Sequence, residues 1–92
     1  MKVSNLTNNN GNKVPNQFII GAEGITRFQS YDSIIVEWSN NKIFLDEYYW
    51  DYSVTTGKYR NQVLGEGIKE TRKKIKSGEY ILTNLNKEIA PF

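Results

Sequence analysis

Four polar turn signals cut the first half of this chain into strand-sized pieces, and that spacing constrains the fold more than any other feature. They are the run Thr7–Lys13 with its Asn10-Gly11 pair, Glu23-Gly24, Asp32-Ser33, and Ser39–Lys42. Asn-Gly favours a type I′ turn because both residues tolerate positive φ. Val3 and Leu6 suggest a short first strand, and Asn16–Ala22 is rich in β-formers. In Ile25–Tyr31, Ile25, Arg27, Gln29 and Tyr31 alternate with Thr26, Phe28 and Ser30, which suits a sheet with one face only partly buried. Ile34-Ile35-Val36 is an aliphatic run suited to a central strand, and Ile43–Leu45 is a further short strand. The first half therefore predicts a meander of about five strands.

After Asp46 the period changes. Lys58–Leu64 predicts a short helix, with Ser53, Thr55 or Thr56 as N-cap and Gly65 as its stop. Tyr59, Val63 and Leu64 would face the core. Ile68–Ser77 predicts a second helix, since Ile68, Thr71 and Ile75 form one stripe and Gly78 sits where a C′ glycine belongs. Glu79–Leu85 reads as a final strand. The expected architecture is α+β, an antiparallel sheet of about five to six strands with one or two helices packed on one side. One domain is expected over residues 1–86, followed by a short tail at 87–92 that is held only if Ile89 or Phe92 docks.

Composition narrows the chemistry. The 92 residues include no Cys and no His. That removes thiol nucleophiles, disulfides, Ser-His-Asp triads and zinc sites of the usual kind. No cofactor is implied, and the expectation is a protein that is not an enzyme. The net charge of +2 is well short of a dedicated duplex-DNA binder. No apolar run approaches the ~18 residues of a membrane span, and Met1–Asn5 has no apolar signal region. A cytoplasmic protein is the resulting expectation. A domain this small gains stability from self-association, so a homo-oligomer is expected.

The candidate site is the stretch Asp46–Gly65. Tyr48, Tyr49, Trp50, Tyr52 and Tyr59 offer flat faces with polar handles, and Trp50, Tyr52 and Tyr59 would wall the pocket. Lys58 and Arg60 offer charge suited to phosphate, and Thr55 and Thr56 offer hydroxyl donors. A helix starting near Thr56 would point free N–H groups at an anion, and Gly57 would permit close approach. The competing reading makes the same aromatics core residues with polar tips at the rim. Gly57-Lys58 lacks the flanking residues of a P-loop, so ATP hydrolysis is disfavoured. The basic run Lys69, Arg72, Lys73, Lys74 and Lys76 reads as a solvated face that also suits the helix dipole. Asp46, Glu47 and Asp51 read as caps or turn formers, with no metal-loop spacing.

Phe28–Ile35, Leu45-Asp46, Tyr49–Ser53, Thr55-Thr56, Lys58–Arg60 and Leu64-Gly65 together resemble DUF8033, a family of small proteins of uncharacterised function. The resemblance runs from about Asn16 to Leu85. Val63 stands where the family pattern has an aromatic. The resemblance implies a phage or prophage origin and assigns no catalytic residue. Small non-enzymatic phage proteins act by binding, so the expected function is counter-defence by sequestering a small phosphorylated ligand, such as an immune signalling nucleotide. Two alternatives stand beside it. One is a protein-binding inhibitor of a host defence system, of anti-CRISPR type, marked by an exposed aromatic patch without a closed pocket. The other is single-stranded nucleic-acid binding through Phe28, Tyr31 and Trp38 with the basic helix.

Overall fold

The computed structural model describes residues 1–87. Six strands form one sheet in sequential order: β1 (Lys2–Thr7), β2 (Lys13–Ala22), β3 (Ile25–Ser30), β4 (Ser33–Ser39), β5 (Lys42–Asp46) and β6 (Tyr80–Thr83). Helices α1 (Val54–Leu64) and α2 (Ile68–Ser77) fill the connection between β5 and β6. The first five strands are an antiparallel meander, and β6 joins β5 in parallel. The fold is α+β as expected, but its sheet is mixed rather than wholly antiparallel. A connection through two helices returns the chain to the end where β5 began, which lays the next strand parallel.

The turns obey local chemistry unevenly. Glu23-Gly24 (φ 48° and 81°) and Asn40-Asn41 (φ 53° and 61°) hold both central residues left-handed, as a primed two-residue hairpin requires. Asn10-Gly11 does not make the expected type I′ turn. Only Gly11 is left-handed, and the Asn8 side chain closes the loop instead, accepting from the N–H of Asn10 (2.9 Å) and of Asn12 (3.0 Å). Pro15 lies inside β2 rather than ahead of it. It falls where the β1–β2 register slips between Asn5 and Thr7, so its missing N–H costs no ladder bond.

One face of the sheet packs on the helices. Ile19, Phe28, Val36 and Leu45 stand side by side across β2 to β5. A bulge between β3 and β4 lets the consecutive residues Ile35 and Val36 both enter the core. Tyr59, Val63 and Leu64 from α1, Ile75 from α2 and Tyr80 from β6 close over them. Ser53 caps α1 by accepting from the Thr56 N–H at 3.1 Å, and Gly65 ends it at φ 70°. The helix therefore starts four residues before the sequence pattern suggests. α2 has the expected limits and ends at Gly78 (φ 87°).

Beyond Thr83 the chain turns back over the sheet. Past the last β4–β5 pair, Val36 with Leu45, the Asn86 side chain takes over pairing on β4. It accepts from the Ile34 N–H at 2.7 Å and donates to the Ile34 carbonyl at 3.0 Å. Residues 88–92, including Ile89 and Phe92, lie outside the described residues. No described helix is long and apolar enough to cross a membrane.

Candidate functional site

Asp46 organises the loop between β5 and α1. Its buried carboxylate accepts three backbone N–H groups, from Tyr48 (3.0 Å), Tyr49 (2.8 Å) and Leu85 (2.8 Å). The first two fold the chain into a turn directly after the strand. The third ties that turn to the segment leaving β6. Backbone bonds from Trp50 to Asp46 and from Tyr52 to Tyr49 extend the turn to Tyr52. A carboxylate is the only side chain that can accept at two oxygens without presenting a donor.

Arg60 fixes the other end of the loop. Its guanidinium donates to the Trp50 carbonyl (2.8 Å), the Asp51 carboxylate (3.0 Å) and the Asn61 side chain (3.0 Å). It also lies 5.4 Å from the centre of the Trp50 ring. The Arg60 side chain is only 2% exposed, and Asp51 supplies its counter-charge. A phosphate would have to displace these partners, so the charge assigned to ligand binding is spent holding the loop to α1. Gly57 sits over this guanidinium, where an added Cβ would meet it at 3.6 Å, an ordinary contact.

The other sequence-derived site residues separate into two groups. Thr56 is buried, with its hydroxyl against those of Ser30 (3.0 Å) and Ser53 (3.1 Å). Trp50 and Tyr59 are half-buried and pack on the core. Tyr52, Thr55 and Lys58 are exposed. For Trp50, Thr56, Tyr59 and Arg60, then, the core reading describes the geometry. Tyr52 and Lys58, with Asp51, Ser53, Val54, Gly57, Asn61, Ile68 and the buried, partnered Arg60, border an open groove of ≈ 700 Å³ along α1. Lys58 is the exposed cation of that groove.

Three tyrosines of the candidate stretch and one from outside it form a tyrosine patch. Tyr48, Tyr49 and Tyr52 meet edge to face or tilted, with ring centres 4.7, 5.3 and 6.2 Å apart. Tyr31 joins them from the β3–β4 turn, across a small cavity of ≈ 160 Å³ lined by Tyr31, Tyr49, Tyr52, Ser30, Ser33 and Ser53. Tyr48, Tyr52 and Tyr31 are 70%, 62% and 49% exposed. Tyr31 is left-handed (φ 56°), and its N–H donates to the Asn16 carbonyl at 2.7 Å. A bulky side chain at that φ costs roughly 1–2 kcal/mol. The signal for this patch in the sequence is faint, because nothing local says that residue 31 meets residue 52.

A second polar cluster lies under the helix junction. Glu66 accepts from Thr71 (2.6 Å), Lys74 (2.8 Å) and Tyr80 (2.8 Å). Burial pushes the Glu66 carboxyl up, but its bonds with Lys74, Thr71 and Tyr80 together hold it below its ordinary 4.5. Burial and the bond to Glu66 raise the Tyr80 hydroxyl above its ordinary 10. The bond to Glu66 raises Lys74 as well. Together they form a clasp joining the α1–α2 connection, α2 and β6. Among the described residues no group of three or more carboxylates stands ready to hold a metal ion. Lys69, Arg72, Lys73 and Lys76 remain solvent-exposed on α2.

Residues 1–80 match the model of DUF8033, a family of unknown function. The chain belongs to that family. The match reaches further toward the N-terminus than the resemblance above, taking in β1 and the Asn-rich loop. It stops at Tyr80, before the Leu85 and Asn86 anchors of this DUF8033 protein. No curated protein and no solved structure matched the chain.

Proposed function

We propose that this DUF8033 protein is a non-enzymatic binding protein that docks a protein partner through Tyr31, Tyr48 and Tyr52. The observation that carries the reading is the tyrosine patch itself. Three largely exposed tyrosines are presented by two turns whose backbones are fixed by Asp46, Arg60 and the Asn16–Tyr31 bond. Tyrosines are enriched in binding hot spots, because each supplies large contact area at little entropy cost. The cavity between Tyr31 and Tyr52 is below the ~300 Å³ of usual small-ligand sites and suits one protruding side chain. Asp32 and Glu47 flank Tyr31 and Tyr48 in the chain and are exposed. Tyrosine faces beside carboxylates favour a lysine or arginine from the partner. The phage setting implied by the resemblance belongs to the same proposal and would make that partner a host defence protein.

The test is a binding comparison. Tyr48→Ser with Tyr52→Ser removes two exposed rings without touching the core. The reading expects this double variant to fold and to lose the partner that wild type retains. Equal retention by both proteins refutes it.

The α1 groove favours a second reading, sequestration of a small phosphorylated ligand. Its volume suits a nucleotide, and Lys58, Ser53 and Tyr52 border it. Here Lys58, not Arg60, would meet phosphate. Incubation with a mixture of signalling nucleotides, removal of the unbound fraction and mass spectrometry of what denaturation releases tests it. Release of a nucleotide by wild type and not by Lys58→Ala supports this reading, and an empty release rejects it.

A further inference from the structure

Three tyrosines from two separate segments line one small cavity. Tyr31 comes from the β3–β4 turn, and Tyr49 and Tyr52 come from the loop before α1. The Tyr49 and Tyr52 rings meet at 66° with centres 5.3 Å apart, like two walls of a corner. The buried part of the lining is Ile35, Ser30 and Thr56. The Thr56 hydroxyl is bonded to that of Ser30 at 3.0 Å and to that of Ser53 at 3.1 Å. Among the described residues no charged side chain lines the cavity. Residues 28–41 and 43–57, which supply the whole lining, contain no Lys or Arg. Their exposed Asp32 and Glu47 make no ion pair among the described residues. Tyr31 holds φ 56°, which for a bulky residue is an outlier, whereas Asn or Gly adopts it readily. Strain of this kind clusters at ligand clamps, where the surroundings over-determine it.

We infer that Tyr31, Tyr49 and Tyr52 form an aromatic cage that takes a trimethylammonium group. The inference rests on the reading of the tyrosine patch as a docking surface and names the group that the patch recognises. Aromatic rings attract a cation through the negative charge on their faces, and quaternary ammonium groups are the ligands that such cages suit. A primary ammonium carries three N–H donors and would give up water for a lining whose Ser30, Ser53 and Thr56 hydroxyls are engaged with one another. A trimethylammonium group has no N–H donor, so it enters without that cost. An anion would face the ring quadrupoles with no cation to meet it. At ≈ 160 Å³ the cavity takes a headgroup and not a whole small-molecule ligand. The rest of the ligand would lie outside, against the exposed rings of Tyr48 and Tyr52. The same chemistry is offered by a trimethylated lysine of a partner protein and by a free quaternary amine such as choline.

The test titrates the protein, by NMR, with choline and with a short Gly/Ser peptide carrying one trimethyllysine. Each probe is paired with its neutral carbon isostere, in which a tert-butyl group replaces trimethylammonium. The charged probe should bind at least about tenfold more tightly than its isostere, and the tyrosine ring currents should move its methyl signal upfield. Equal binding of charged and neutral probes overturns the inference, since the cavity would then be merely apolar. Failure of both charged probes to saturate also overturns it. Tyr31→Asn removes one wall and relieves the left-handed backbone, so it should be at least as stable as wild type in urea and yet lose the charged probe. Undiminished binding by this folded variant places the site elsewhere and overturns the inference. The two probes separate the sources. A peptide held more tightly than choline assigns the group to a partner protein, choline held as tightly assigns it to a free amine, and both uphold the cage. A cage that fails while the Tyr48→Ser, Tyr52→Ser variant still loses its partner refutes this inference alone and leaves the docking surface standing.

Discussion

Replacing Asp46 by Asn should destabilise the protein far more than one atom suggests. The carboxylate uses both oxygens, one for Tyr48 and Tyr49 and the other for Leu85. An Asn amide offers a single oxygen. If it serves the turn, its NH₂ group opposes the Leu85 N–H, donor against donor. That leaves one poorly solvated N–H unpaired, at about 1–3 kcal/mol. The two remaining bonds lose their charged acceptor, at about 0.5–1 kcal/mol each. The total is about 3 kcal/mol, against the roughly 5–14 kcal/mol that a domain of 92 residues carries. With a urea m-value of about 1.5 kcal/mol/M, the midpoint falls by about 2 M. Urea unfolding followed by Trp fluorescence reads this directly, since Trp50 sits in the loop. Glu47→Gln, one residue on and exposed, serves as the control and should shift the midpoint by less than about 0.3 M. A shift for Asp46→Asn no larger than the control's would refute the claim that this carboxylate holds the loop.

Three further outcomes follow from the same geometry. Gln17 is fully buried and neither of its amide atoms has a partner among the described residues, so Gln17→Met should raise stability by about 1–2 kcal/mol in urea unfolding. Gly57→Ala should add about 0.5–1 kcal/mol, because the new Cβ makes only ordinary contacts and alanine is the better helix former. The Glu66 clasp gives stability an acid and an alkaline limit. With the Glu66 carboxyl held below 4.5, its contribution is complete above 4.5 and is lost as pH falls through the lowered folded value. Tyr80 and Lys74 are raised, so their contributions are complete below their ordinary values and are lost as pH climbs. Thermal melts across pH should therefore show a plateau, and Glu66→Gln should flatten its acid edge.

The meander was legible because strand length, turn residues and aliphatic runs are local signals. Asn40-Asn41, Glu23-Gly24 and the glycines after each helix behaved as their chemistry dictates. Asn10-Gly11 did not, because the Asn8 side chain supplied a competing way to close the loop. The direction of β6 was hidden, since a strand pattern carries no sign of which way it will pair. The role of the Asp46–Gly65 stretch was not legible from residue types alone. Aromatics, Arg60 and hydroxyls near one another in sequence suit a ligand and suit a loop anchor equally well. Burial alone separates the two, and it turned Arg60 inward while turning Tyr52 outward. Tyr31 was out of reach of any local reading, because it reaches the patch through a pairing between distant turns.

The most direct test of the central proposal compares three baits in a bacterial lysate: wild type, Lys58→Ala, and Tyr48→Ser with Tyr52→Ser. Proteins retained by each are quantified by mass spectrometry, and the strongest candidate is purified and titrated against all three. A tyrosine docking surface predicts a partner held by wild type and by Lys58→Ala, and bound at least about 30-fold more weakly by the tyrosine double variant. A partner bound equally by the double variant, or no partner that distinguishes it from wild type, would contradict the account.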